Sequence, residues 1–258
     1  MTKKIRNNIL KVFIVIIVVL SFYIIDFKNR TPITGKYISQ ILNGLTSPDW
    51  DFVYQQGSKE DLLSLMWETI MVALYGTGLG AILSIPFILI SSFSIWGNLK
   101  IVPRVGRFIL NIMRAVPTMI YAILFVRIVG PGAFAGGLAI GTQLVGMLGK
   151  LISDAMDNVD TTPIEALNSA GASKLQTFQY AHLPQITAIS ASHILNHFEI
   201  SVRSATTLGL VGAGGIGAPI IFALQSRDWG RVSIILLAII IVVLVIDVLG
   251  TFIRKKLA

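Results

Sequence analysis

Six apolar runs dominate this chain, each near the length a helix needs to cross a hydrocarbon layer: Ile9–Ile25, Glu68–Phe93, Phe108–Val129, Phe134–Ile152, Leu183–Thr206 and Val232–Ile253. Crossing takes about 20 residues, because a helix rises only about 1.5 Å per residue. Only 13% of the 258 residues are charged, about half the share usual in a soluble domain. Lipid is therefore the expected solvent, since an unpaired charge in hydrocarbon is costly. The sequence predicts an all-α integral membrane protein of about six transmembrane helices. Residues 1–64 would supply the first helix and an extracytoplasmic segment, and residues 65–258 the main transmembrane domain. Asp26-Phe27-Lys28 is no small-residue cleavage site, so the first run reads as a retained helix rather than a signal peptide.

The absence of cysteine excludes disulfides, thiolate metal sites and cysteine nucleophiles. The net charge of +8 does not point to nucleic acid, because the basic residues gather at the ends of apolar runs, where they set topology. With both termini in the cytoplasm, thirteen of the 21 Lys and Arg residues fall inside, seven fall outside, and Arg203 lies within a span. Residues 26–65 are polar, with short surface helices expected near Tyr37–Leu45 and Asp61–Trp67. Ile216–Leu224 is apolar but too short to cross, so residues 207–231 read as re-entrant or interfacial. Glycines recur in the spans, among them Gly76, Gly80, Gly137, Gly141, Gly146 and Gly149, and small residues let helices approach closely in lipid. Pro86 and Pro117 lie in apolar runs, where each removes a helix hydrogen bond and can kink its helix.

The most informative stretch is the inner segment Asp160–Gly171. Thr162 suits an N-cap, Pro163 the first helical position and Glu165 the third, which together make a capping box. Gly171 supplies a left-handed stop. A short helix over Pro163–Ala170 follows, and a second box, Ser173 with Gln176, starts a further helix running to Pro184. Two capped helices between spans form a stiff projection, either a plain connector or a docking element.

Glu165-Ala166-Leu167, then Gly171, Ala181 and Leu183-Pro184, resemble the E-A-A–G–I-x-L-P loop of ABC-importer permeases at every spacing. Leu167 and Ala181 depart from that pattern but stay apolar. Glu68-Thr69-Ile70, Gly76-Thr77, Ile85-Pro86 and Arg114-Ala-Val-Pro117 are similar to further elements of the family, and Phe198–Gly217 looks most like its phosphonate-type branch. The resemblance implies the type I ABC importer permease fold, in which the short loop helix docks into a groove on a separate ATPase subunit. Glu165, Ala166, Gly171, Leu183 and Pro184 would carry that coupling. It also implies an extracytoplasmic substrate-binding protein, a second permease chain (most simply a second copy), and the plasma membrane of a bacterium. Phosphonates or related phosphorus oxyanions are the expected cargo, with methionine and glycine betaine permeases as alternatives. This chain has no G-x-x-x-x-G-K-[ST] phosphate loop. ATP and Mg are therefore expected on the partner ATPase, and neither a cofactor nor a metal on this chain.

Two patterns invite other readings. Gly212-Ala-Gly214-Gly-Ile-Gly217 fits the dinucleotide fingerprint G-x-G-x-x-G, but that motif needs a preceding strand, and here it lies between membrane spans. It reads instead as a glycine turn at the outer end of the fifth span, either a flexible gate or a plain packing turn. Along that span, Ser192, His193, Asn196, His197, Glu199, Arg203 and Ser204 share one side of a helix. Ionisable groups inside a membrane face protein or water. This face would line the translocation path, with Arg203 offering positive charge to an anion, or Glu199 and Arg203 would neutralise one another four residues apart. His193 and His197 have zinc-like spacing without a third ligand.

Two rival classes find less support. A secondary transporter would show inverted repeats or ion-coupling carboxylates, whereas the internal acids are Glu199 and Asp247 and no repeat is evident. An intramembrane enzyme needs an organised nucleophile and base, and no motif supplies one.

Overall fold

In hydrocarbon every backbone N–H and C=O must find a partner within its own segment, and helices meet that demand without help. The structure, a computed structural model describing residues 3–24, 35–54, 61–97 and 99–257, is helical with no strand among the described residues. The chain falls into two units, Met1–Leu42 and Asn43–Ala258. The first holds α1 (Lys3–Ile24) and most of α2 (Gly35–Thr46). The apolar residues of α1 between Leu10 and Ile24 are exposed on every side of the helix, a stretch shorter than the spans of the second unit. The Asp26–Lys28 stretch lies outside the described residues. The α2 helix matches the surface helix expected near Tyr37–Leu45.

The second unit continues with a 3-10 turn (Trp50–Phe52), α3 (Leu62–Ser91), α4 (Phe93–Trp96), α5 (Ile101–Ala115), α6 (Thr118–Val129) and α7 (Ala133–Asp157). Then come α8 (Thr162–Ser169), α9 (Lys174–Thr177), a π-helical turn (Phe178–His182), α10 (Leu183–Leu208), a 3-10 turn (Gly209–Val211), α11 (Gly217–Ser226) and α12 (Trp229–Leu257). By length and composition α3, α7 and α12 suffice to cross a membrane, and α5 with α6 would make a fourth crossing bent by 83°. The expected single span Phe108–Val129 is thus broken. Val116 precedes a proline and takes extended backbone (φ −82°, ψ 122°), which a helix cannot pass through. The freed carbonyl of Met113 accepts a bond from Tyr121 Oη at 2.9 Å. α10 has 26 residues, enough to cross, but its polar side chains keep it out of the apolar set. Residues 61–67 form no separate surface helix. They are the opening of α3, because Leu62 and Met66 are buried with Ile216, Ile234 and Ile235. α3 also runs unbroken through Pro86.

The α3–α7 pair is the centre of the second unit, and its glycines explain it. A Cβ on Gly76 would lie 2.7 Å from Ile140 Cβ, and one on Gly80 would lie 2.6 Å from Leu144 Cβ. Reciprocally, Gly137 and Gly141 make room for Tyr75 and Leu79. Two glycine pairs, each spaced four apart, therefore let the backbones touch. Further along α7, Gly146 and Gly149 receive Leu110 and its neighbours from α5.

At the end of α7, Asp157 gathers three elements. It accepts Ser92 Oγ (2.6 Å), the Ser94 amide (2.9 Å) and Arg107 Nη2 (2.6 Å). Arg107 also reaches Asp154 at 3.0 Å and donates through Nε to the Ser91 carbonyl. The network closes the ends of α3, α4, α5 and α7 together, next to the loop that carries α8.

Candidate functional site

The loop arm begins at Asp160. Its carboxylate accepts the Thr162 amide at 3.0 Å and the Thr162 hydroxyl at 2.8 Å. These bonds hold the Asp160 carboxyl below the usual carboxylate range. The capping box expected of Thr162 and Glu165 does not form. The helix starts one residue earlier, Thr161 occupies the cap position in helical backbone, and no side chain bonds from it. An ionised carboxylate is a stronger acceptor than a hydroxyl, so Asp160 takes the role and turns Thr162 into a donor. At the other end Gly171 adopts φ +80°. The Gly171 amide donates to the Asn168 carbonyl (3.1 Å) and the Ala172 amide to the Leu167 carbonyl (3.0 Å), a complete Schellman stop as expected.

Side chains then fix the arm to its base. Gln185 of α10 accepts from the Asp160 amide at 2.9 Å and donates to the Asp160 carbonyl at 3.2 Å. Thr177 Oγ1 meets Asn168 Oδ1 at 3.2 Å. The Ser173–Gln176 capping box is present in both directions. The helix it starts does not stop at Pro184, because Pro184 sits in the first turn of α10, where its missing N–H costs nothing. The arm therefore presents Glu165 and Ala166 to solvent, with Ile164 and Leu167 half-buried beneath them. Leu183 lies apart from that tip, in an apolar groove of about 410 Å³ between α3, α7 and α10.

The polar side chains of α10 differ in burial. His197 and Ser201 are buried, His193 is half-buried, and Asn196 and Arg203 are exposed. Glu199 pairs with Arg254 of α12 at 2.9 Å, not with Arg203. Gly250 makes this possible, since a Cβ there would collide with Glu199 Oε1. Spacing put Arg203 within reach of Glu199, but a guanidinium from a helix more than fifty residues away fills the place.

The glycine turn after α10 is packed. Gly212, Gly214 and Gly215 have φ of 80°, 85° and 75°, a region open to glycine at little cost. Ala213 and Ile216 between them are fully buried. Glu68 Oε1 accepts the Gly215 amide (3.2 Å), Thr69 Oγ1 accepts the Ile216 amide (3.0 Å), and the Gly132 amide donates to the Gly212 carbonyl (2.9 Å). Gly217 passes so close to the Thr206 carbonyl that a Cβ would stand 2.4 Å away. Glu68 and Thr69 had no local signal of this role, because their partners lie 147 residues downstream.

Residues 84–258 match the family model described as "Binding-protein-dependent transport system inner membrane component". Among curated proteins, the phosphite transport system permease protein PtxC of Stutzerimonas stutzeri is 35% identical over 73% of this chain and 68% of its own length. The phosphate-import permease protein PhnE of Mycolicibacterium smegmatis is 31% identical over 93% of this chain and 44% of its own. The fold is also that of a chain in the inward-facing MetNI methionine ABC transporter, with a TM-score of 0.66 and 22% identity over 79% of this chain and all of that one. The type I importer fold, the family match and the level of identity agree, and the chain belongs to the inner membrane permease components of binding-protein-dependent transport systems.

Proposed function

We propose that this permease imports phosphorus oxyanions such as phosphite, phosphonates or phosphate, driven by a separate ATPase that binds ATP and Mg. The observation that carries the coupling is α8 itself: a short helix closed at both ends, hydrogen-bonded to α10 at its base and exposed along Glu165 and Ala166. A solvated helix with no buried residue gains little from its own fold, so a partner surface is what such rigidity serves. Nucleotide closure of the ATPase pushes α8. Gln185 and the continuous helix from Leu183 and Pro184 carry the displacement into α10, and the spans reorient between inward and outward access.

His193, Asn196, His197, Glu199 and Arg203, with the turn at Gly212, Gly214 and Gly217, form the path and its outer end in this reading. One α8 per chain requires a second permease chain per complex, most simply a second copy. An extracytoplasmic binding protein delivers the anion, and both termini face the cytoplasm of the bacterial cell. The choice of phosphorus oxyanions rests on what the similar permeases are named for. The test is uptake by intact cells carrying Glu165→Lys or Gly171→Pro. Both variants should insert in the membrane and lose uptake, and normal uptake by either would refute the coupling role of α8.

A further inference from the structure

We infer that Arg203 is the anion-binding residue of the path, and that the Glu199–Arg254 pair exists to keep it positive. This rests on the proposed import of phosphorus oxyanions. Asn196, Ile200, Arg203 and Thr207 are all exposed and recur at spacings of four, three and four, which places them on one stripe of α10. A stripe carrying an amide, a guanidinium and a hydroxyl faces water or protein, never lipid tails.

Within the stripe Arg203 carries the charge. Glu199 is the acid on its own helix at pairing distance, yet its carboxylate lies 2.9 Å from Arg254, with its side chain only 10% exposed. Gly250 holds it there, because any larger residue would occupy the carboxylate's place. Among the described residues Arg203 meets no carboxylate and no hydrogen-bond acceptor. An uncompensated guanidinium in a crossing helix needs a counter-charge, and its planar fork matches two oxygens of a phosphorus oxyanion. The path would thus attract its cargo with one unpaired cation, while a second cation one helix away occupies the acid that would otherwise cancel it.

The test uses the complete complex, with its ATPase and binding protein, in proteoliposomes supplied with phosphite, methylphosphonate or inorganic phosphate. Arg203→Gln should lower uptake about tenfold or more, as expected for losing a charged hydrogen bond, in a complex that still assembles. Arg203→Lys should retain part of the uptake. Arg254→Gln should also lower it, by freeing Glu199 to neutralise Arg203, and adding Glu199→Gln should restore it. A structural pair would show the same rescue in assembly, so loss of uptake by Arg254→Gln only through lost assembly overturns the role given to the pair. Wild-type uptake by Arg203→Gln overturns the inference alone. Failure of Arg203→Gln to assemble where Arg203→Lys assembles also overturns it, by making Arg203 a structural counter-ion. A wild-type complex that moves none of the three anions overturns it together with the function on which it rests.

Discussion

The α3–α7 pair and the α8–α9 arm are both helical, and they hold their shape by opposite means. Between α3 and α7 the contact is dry, and its determinants are absences: four glycines whose missing side chains let Ile140, Leu144, Tyr75 and Leu79 reach backbone. In the arm nothing within α8 is buried, and its determinants are hydrogen bonds from Asp160, Gln185, Ser173 and Gly171. In lipid the hydrophobic effect does not draw helices together, so close packing must do so. In water a helix of eight residues is too short to persist, so its ends must be closed. The pair forms a fixed frame, and the arm is a rigid handle on that frame.

Changes to the frame should have the largest effect. Gly76→Leu drives a side chain into Ile140 and should cost about 3 kcal/mol or more by overpacking, read as loss of the monodisperse peak in detergent. Gly78→Leu, where a Cβ meets nothing within 4 Å, is the matched control and should leave that peak unchanged. Equal damage from both would mean that helix surface, not close approach, decides the packing. Next comes Thr69→Val at the seam between α3 and the glycine turn. It leaves the buried Ile216 amide without its acceptor and should cost about 1–3 kcal/mol, measured as a lowered melting temperature. An unchanged melting temperature would show that the turn needs no tie to α3.

The same contrast decides what could be read from the sequence. The frame was legible as composition, since runs of apolar residues with glycines at helical spacing need no knowledge of the partner. The Schellman stop at Gly171 and the Ser173–Gln176 box were legible because each closes within a few residues. Thr162 was misassigned because two acceptors compete for one helix start and the carboxylate wins at a distance of two residues. The break at Val116–Pro117 is visible as a proline, yet nothing local says whether a proline ends a helix, and α3 continues through Pro86. The Glu199–Arg203 pair, one of the two arrangements that spacing allows, does not form, because spacing shows which partners can be reached and not which are taken. Arg254 and Gly250 become neighbours of Glu199 only when α10 and α12 pack.

In the arm single changes should matter less to the whole molecule and more to the handle. Gly171 has open space around it, so Gly171→Ala meets only the cost of left-handed backbone, about 1–2 kcal/mol. Faster amide exchange across Ala166–Ala172, with the spans unaffected, would show it. Unchanged exchange there would mean that the stop at Gly171 does not hold the helix.

The smallest effect is a dependence on pH. Asp160 accepts both groups of Thr162 more strongly when ionised, and those bonds, the amide's first, set its carboxyl below the ordinary range. A depressed acid contributes its stabilisation above the unfolded-state value and loses it as pH falls through the folded one. Protection of the Thr162 amide should therefore weaken at a lower pH than the titration of an ordinary aspartate would set. Thr162→Val removes the hydroxyl donor but keeps the amide, so its loss of protection should move part of the way back up. Were Thr162 itself the cap, its hydroxyl would accept the Glu165 amide, so the valine variant would lose protection at Glu165 and leave the pH response of the Thr162 amide unchanged.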